Sequence, residues 1–290
     1  MNHLPIAIIG GDLRFVRLCQ LLIDKGHNVY VYGISHPDIP NQATICSSLE
    51  DVKKCKYIIA PIPFSKDNNT LFTPLSNVSI SIEQFFLVAN NSFVLLGALN
   101  NNLKLLFKKH NIQYKDLMDM DEAAILNAIP TAEGAIQYAM QNSEITLHDS
   151  QCLVLGFGRC GKILAHKLYG LGANVSVEAR SSKDLAFIST YGYTPIPLKD
   201  LKNHLDKYHF IFNTIPAIVL DTEAIKKMSK DTVYIELASA PGGIDPCATK
   251  TLGINYIPAP SLPGKVAPKS AAKIIYHCFS LILHDMGEFL

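Results

Sequence analysis

Three glycines stand in the spacing GxGxxG, in the run Gly156-Phe157-Gly158-Arg159-Cys160-Gly161. The apolar stretch Cys152-Leu153-Val154-Leu155 leads into it. A helical pattern through Ile163, Leu164, Leu168 and Leu171 follows, and a second apolar run extends from Asn174 to Glu178. Strand, tight turn, helix, strand is the context in which this spacing binds a dinucleotide. Gly156 permits the sharp turn, and Gly158 removes the side chain that would block a pyrophosphate. Gly161 lets the helix lie close to the sheet, and the helix amino terminus presents N–H groups to phosphate. Phe157, Arg159 and Cys160 complete the turn. Glycines also mark ordinary turns, so the flanking pattern carries this reading.

The second strand runs out into Ala179-Arg180-Ser181, where an NAD enzyme carries an acid for the ribose 2′-hydroxyl. An acid there repels a 2′-phosphate, whereas an arginine and a hydroxyl bind one. Arg180 and Ser181 therefore point to NADP in preference to NAD. Glu178 becomes the ribose ligand if the strand register differs by one.

Further motifs fall at expected strand ends: Asn213-Thr214-Ile215-Pro216, Ala238-Ser239-Ala240-Pro241-Gly242-Gly243, and Pro258 to Lys265. Asn213, Thr214, Pro216 and Ser239 are expected near the nicotinamide and its ribose, although proline and glycine are also the usual loop formers. The charged candidates are Arg14, Glu122, Glu133, Lys265 and Lys269. Cations suit a carboxylate substrate, against the ordinary fate of a lysine as a solvated surface charge. Pro263-Gly264 suggest that Lys265 is held in a tight loop. The ten histidines show no catalytic spacing. There is no GxSxG elbow, no Walker lysine and no HExxH signature, and no metal site is expected.

These groups need a scaffold. The 290 residues suffice for two domains, each with its own core. A formal net charge of +1 argues against nucleic acid or an anionic membrane as the main partner. Seven cysteines with no CxxC pairing fit a reducing cytoplasm. No basic leader with a signal core and no stretch of membrane-spanning length is present, so a cytoplasmic location is expected.

The first half repeats the alternation of the second without its fingerprint. Ile6–Ile9, Val29–Tyr32, 57–60 and Phe93–Leu96 read as strands, with helical stretches over 13–23, 82–87 and 99–110. Gly10-Gly11-Asp12 lacks the GxGxxG spacing, and Gly33 stands where a ribose-binding acid would sit. A related fold put to another use is expected here. Residues 119–142 read as helix, predicted to break near Ala128-Ile129-Pro130-Thr131 because proline cannot continue a helix without losing a hydrogen bond. Strands follow at Phe210–Asn213, Val233–Glu236 and 255–257. The tail, 266–290, reads as a helix whose broad apolar face packs back on the first domain or lies at a dimer interface. The expected fold is therefore α/β. Two doubly wound Rossmann-like domains are expected: a substrate domain over 1–128 and an NADP domain over 129–265. The substrate is expected in the cleft between them.

Asn127-Ala128-Ile129-Pro130-Thr131-Ala132-Glu133-Gly134-Ala135, the glycine run with Ala179-Arg180-Ser181, Asn213-Thr214-Ile215-Pro216 and Pro260-Ser261-Leu262-Pro263-Gly264-Lys265 together resemble the dipicolinate synthase A-subunit family. The likeness runs in order from Ile6-Ala7-Ile8-Ile9-Gly10-Gly11-Asp12 to the last helix. Ala128 departs from the serine usual in the family, and a small residue remains. The resemblance implies the mother-cell cytoplasm of a sporulating bacterium. It also implies NADP-dependent oxidation of a dihydro- or hydroxytetrahydro-dipicolinate, a branch of the lysine pathway, to dipicolinate. It implies a homo-oligomer working with the dipicolinate synthase B-subunit, a small flavoprotein-like chain. On this view Arg14 and Lys265 hold the substrate carboxylates, Asn127, Thr131 and Ser261 contact the ring, and Glu133 and Lys265 serve catalysis. More distantly, the layout resembles D-2-hydroxyacid dehydrogenases. Two other readings stay open: a 2-keto/2-hydroxy acid oxidoreductase, whose usual Arg, Glu and His set is not evident, and a non-catalytic NADP-binding regulatory subunit.

Overall fold

The computed structural model describes residues 4–288, so the last two residues of the expected tail helix lie outside it. The chain begins with β1 (Pro5–Ile9), α1 (Leu13–Asp24), β2 (Asn28–Tyr32), β3 (Thr44–Ile45), β4 (Tyr57–Ile59), α2 (Ile82–Ala89), β5 (Phe93–Leu96), α3 (Asn101–Lys109) and β6 (Gln113–Asp116). It continues with α4 (Asp121–Gln141), β7 (Gln151–Leu155), α5 (Arg159–Gly170), β8 (Asn174–Ala179), α6 (Ser182–Thr190), β9 (Thr194–Pro197), β10 (Phe210–Asn213) and α7 (Thr222–Ile225). β11 (Val233–Glu236), α8 (Pro246–Leu252), β12 (Asn255–Pro258), α9 (Leu262–Val266) and α10 (Pro268–Asp285) complete it. Two compact units result, one of Met1–Asn127 with Pro263–Leu290 and one of Ala128–Leu262.

The first unit holds a parallel sheet in the order β3-β2-β1-β4-β5-β6. Its central strands are apolar without alternation because helices cover both faces. Ile6, Ile8, Val31 and Tyr57 pack with Phe15 and Leu22 of α1 and with Phe279 and Leu283 of α10. Ala7, Ile9 and Ile58 pack on the other face with Phe85 of α2 and Phe107 of α3. The Phe279 ring meets Tyr57 edge-on at 5.6 Å, which seats α10 in this core.

The second unit repeats the design as β12-β11-β10-β7-β8-β9. Numbered from its own first strand, each sheet has the order 3-2-1-4-5-6 of a doubly wound nucleotide-binding fold. The chain reverses direction across the sheet between β7 and β10, and ligands of such sheets bind beyond that switch point. Register fixes what stands there. Leu155 pairs with Glu178 on one side and with Asn213 on the other, and Asn213 pairs with Glu236. Paired residues of parallel strands share a face, so four strand ends form one row.

Two local expectations are corrected. α4 is one unbroken helix with Pro130 inside it. The proline removes one hydrogen bond and crowds the carbonyl four residues back. Small residues are buried on both sides of the helix, Ala128, Ala132, Ala135 and Ala139 on one and Pro130 and Gly134 on the other, so packing holds it together nonetheless. Pro263, Gly264 and Lys265 lie in the helical turn α9 rather than in a loop, consistent with the tolerance of proline in a first helical turn. Among the described residues no helix is long and apolar enough to cross a membrane.

Candidate dinucleotide site

Each glycine of the turn after β7 has its own reason. Gly156 adopts φ +94°, a left-handed conformation that strains other residues. A Cβ there would also lie 2.7 Å from Thr214 Oγ1. At Gly161 a Cβ would run into the Gly156 carbonyl oxygen, so glycine sets how closely α5 approaches the turn. Gly158 is different. Its backbone, φ −79° and ψ −167°, suits any residue, and a Cβ would meet nothing within 4 Å. The protein itself makes no demand for glycine there. Gly158 is also the N-cap of α5 and offers no side-chain acceptor, so the first-turn amides keep their positive end exposed.

In front of this turn lies a cavity of about 500 Å³. Gly156, Phe157 and Gly158 form one wall, Glu178 to Ser181 with Asp184 a second, and Thr214, Ile215 and Pro216 a third. The structure thus gathers Gly156, Phe157, Gly158, Arg180, Ser181, Thr214 and Pro216 around one space. Arg159, Cys160 and Gly161 form the first turn of α5 behind it. Burial pushes the Cys160 thiol up to about 11, so it stays protonated at neutral pH. Ser181 caps α6: its Oγ accepts from Asp184 N at 3.0 Å and donates to Asp184 Oδ2 at 2.8 Å. Two acids also stand in the cavity wall: Glu178, which sequence reasoning offered only as an alternative ribose ligand, and Asp184, which it did not place there. Glu178 is 1 % exposed, and its Oε1 has no hydrogen-bond partner in the protein. Burial raises its carboxyl above the ordinary range, with the Gly156 amide and the Arg180 guanidinium pulling the other way.

Asn213 is wholly buried. Its Nδ2 donates to Ile215 O at 2.9 Å and Glu236 Oε1 at 2.7 Å, while Oδ1 accepts from Ile215 N at 3.1 Å. Both donors are committed, so Asn213 shapes the Thr214–Pro216 wall from behind. Glu236 also accepts from Ala238 N at 3.0 Å and Gly243 N at 2.8 Å. A Cβ on Gly242 would crowd Glu236, and one on Gly243 would crowd Asn213. One buried carboxylate therefore ties together the loops after β10 and β11. Ser239 sits exposed on the second of these loops, outside the cavity wall. The signal for Glu236 was an acid closing an otherwise apolar strand shortly before a Gly-Gly pair.

The corresponding turn of the first unit is filled by the protein itself. Asp12 caps α1, accepting from Arg14 N at 3.1 Å, and pairs with Arg14 Nε at 2.8 Å and Nη2 at 2.9 Å. Arg14 is buried and also donates to Ile62 O. A Cβ on Gly264 would strike Asp12 Oδ2 and Arg14 Nε, so this pair seats the start of α9. Arg14 is thereby occupied within the fold, whereas Lys265 is exposed. In the second unit Glu133 is exposed and paired with Lys167 at 2.8 Å, and Ser261 is exposed at φ +58°. Asn127 and Thr131 are half-buried on α4. Among the described residues no cluster of side chains could hold a metal ion.

A doubly wound sheet with an uncapped glycine turn facing a cavity at its switch point is the class of fold and site geometry in which dinucleotides are bound. D-lactate dehydrogenase from Escherichia coli shares the fold, with a TM-score of 0.61 at 14% identity over 98% of both chains. The particular family is set by closer relatives. The chain is 33% identical to the A-subunit of dipicolinate synthase from Bacillus subtilis (strain 168), over 99% of its length and 98% of the relative's. The crystal structure of the dipicolinate synthase A-subunit from Bacillus halodurans matches with a TM-score of 0.88 at 34% identity, covering 97% of this chain and 98% of that one. The family model for the N-terminal domain of the dipicolinate synthase A-subunit matches residues 5–118. The chain belongs to the dipicolinate synthase A-subunit family.

The Glu236 clamp gives a stability prediction. Glu236→Ala leaves three donors, two of them buried, without this acceptor and is expected to cost about 3 kcal/mol in urea unfolding. Glu236→Gln keeps one acceptor oxygen and is expected to cost less than half as much. A loss under about 1 kcal/mol for the alanine variant would mean that the loops hold without the carboxylate.

Proposed function

We propose that this chain oxidises a dihydro- or hydroxytetrahydro-dipicolinate to aromatic dipicolinate with NADP, working with a second subunit. Membership of a family whose relatives are named as the A-subunit of dipicolinate synthase supports the substrate and the partner. One structural observation carries the cofactor: Gly158 is a glycine that nothing in the protein requires, at the mouth of an uncapped helix. A pyrophosphate requires it, because a Cβ would stand in the space that the phosphates occupy.

When bound, a nicotinamide dinucleotide supplies the hydride acceptor. A dihydrodipicolinate ring needs only to lose a hydride and a proton; the hydroxytetrahydro ring first loses water. Aromaticity makes this step downhill, so the protein's task is mostly positioning. The first-turn amides of α5 hold the pyrophosphate, and Arg180 with Ser181 flanks the 2′-phosphate. Asn213 and Glu236 keep the Thr214–Pro216 wall in place. Lys265 pairs with a ring carboxylate. Arg14 acts indirectly, steadying through Asp12 and Gly264 the turn that carries Lys265.

Three variants separate these assignments. Gly158→Ala is expected to leave the melting temperature unchanged while weakening NADP binding by about tenfold or more, equivalent to about 1.4 kcal/mol. Undiminished binding would remove the pyrophosphate from this turn. Arg180→Asp is expected to reverse the preference from NADP to NAD in steady-state kinetics, and an unchanged preference would show that the 2′-phosphate is held elsewhere. Lys265→Met, assayed by the absorbance of the pyridine dicarboxylate product with the partner subunit present, is expected to raise KM by about tenfold. A KM like that of the unaltered protein would leave the carboxylates without this cation.

A further inference from the structure

The row of strand ends contains two buried acids with opposite circumstances. Glu236 receives hydrogen bonds from Asn213, Ala238 and Gly243. Glu178 stands in the same row, in the cavity wall, with Oε1 buried and unpartnered. A buried carboxylate oxygen lacking a donor is costly as an anion. It is less costly as a neutral acid, and least costly when a ligand brings the missing partner. A dinucleotide would bring further negative charge to this same cavity.

We infer that Glu178 meets the bound dinucleotide as a neutral carboxylic acid that donates a hydrogen bond to it, so that binding is coupled to the uptake of a proton. This rests on the dinucleotide reading of the cavity. The charged groups that share its wall are Arg180 and Asp184. The 3-10 turn Leu198–Asn203 packs against β8 and carries exposed Lys199 and Lys202 with half-buried Asp200. The helices on either side begin with exposed Arg159 and Lys183. Burial dominates at Glu178; of these charges only Arg180 acts on it, and together with the Gly156 amide it opposes the protonated form without overcoming burial. Anionic phosphates shift the balance further toward the neutral acid. The sign follows from that order. Affinity is full below the point where Glu178 titrates in the free protein, and it falls as pH rises from there to where it titrates in the complex.

Calorimetric titration of the full-length chain with NAD+ and with NADP+ between about pH 5.5 and 8.5, in two buffers of different ionisation enthalpy, tests this. NAD+ is the cleaner probe because it lacks a 2′-phosphate that titrates in the same range. Net proton uptake is expected with both nucleotides, with affinity falling roughly tenfold across the range. Glu178→Gln, a neutral donor at every pH, is expected to bind with no proton uptake and a flat profile. Uptake that persists in Glu178→Gln, or NAD+ binding to the unaltered chain without uptake, overturns the inference. If Glu178→Gln does not fold, infrared difference spectra of the unaltered chain decide instead. A protonated-carboxyl band that grows on NAD+ binding supports the inference, and its absence refutes it. Binding without uptake removes this inference alone, whereas no binding of either nucleotide removes the dinucleotide reading as well.

Discussion

The closeness of α5 to the end of β7 is the constraint on which the second unit depends. Gly161 has no Cβ because the Gly156 carbonyl lies in that direction, and Gly156 has none because Thr214 does. Thr214 in turn donates to the Leu155 carbonyl at 2.8 Å, which fixes the Thr214–Pro216 wall to the strand that feeds the turn. Cavity, helix end and strand row are therefore parts of one contact. A larger residue at Gly161 would push the helix away and alter all three. This separates the three glycines physically: two are demanded by the protein, and Gly158 is not.

The first unit shows that topology alone does not make such a site. Its sheet has the same strand order, and Gly10 and Gly11 follow β1 at positive φ. There the anion at the head of α1 is the Asp12 carboxylate, already neutralised by Arg14. Gly11 N donates to Phe72 O at 2.9 Å, and Thr73 crowds Gly10, so residues of the long segment between β4 and α2 cover the turn. An internal carboxylate and a covering segment occupy the place that the second unit leaves open to ligand. The difference comes down to Asp12 against Gly158 at the N-cap.

The central strands were legible in the sequence because burial on both faces gives unbroken apolar runs. β3, β6 and β9 were not. They lie at sheet edges, where one side lacks a neighbour, and their residues show it. β6 reads Gln113-Tyr114-Lys115-Asp116, and β9 holds Pro195 and Pro197, which an edge tolerates because an outward-facing position needs no donor. Pro130 misled for the opposite reason: local chemistry predicted a break, and packing of small residues overrode it. The lining of the candidate cavity was legible where spacing carries it, at Gly156 to Gly158 and at Arg180 and Ser181. It was not legible where register decides. That Asn213 faces Glu236, and that Glu178 shares their row, follows from pairing between strands far apart in the chain.

On the proposed reading, a dinucleotide would meet the summed charge of the cavity wall and not Arg180 alone. Asp184 offsets Arg180, and an ionised Glu178 would leave the wall with a net negative charge facing the phosphates. The positive end of α5, equivalent to about half a charge, would not fully compensate. A neutral Glu178 removes the deficit and leaves Arg180 available to a 2′-phosphate, with Ser181 held beside it by its cap on α6. Asp184 accepts from Ser181 and lies nearer to solvent. On that reading the arginine at the end of β8 would act on a 2′-phosphate to the extent that the carboxyl beside it carries no charge.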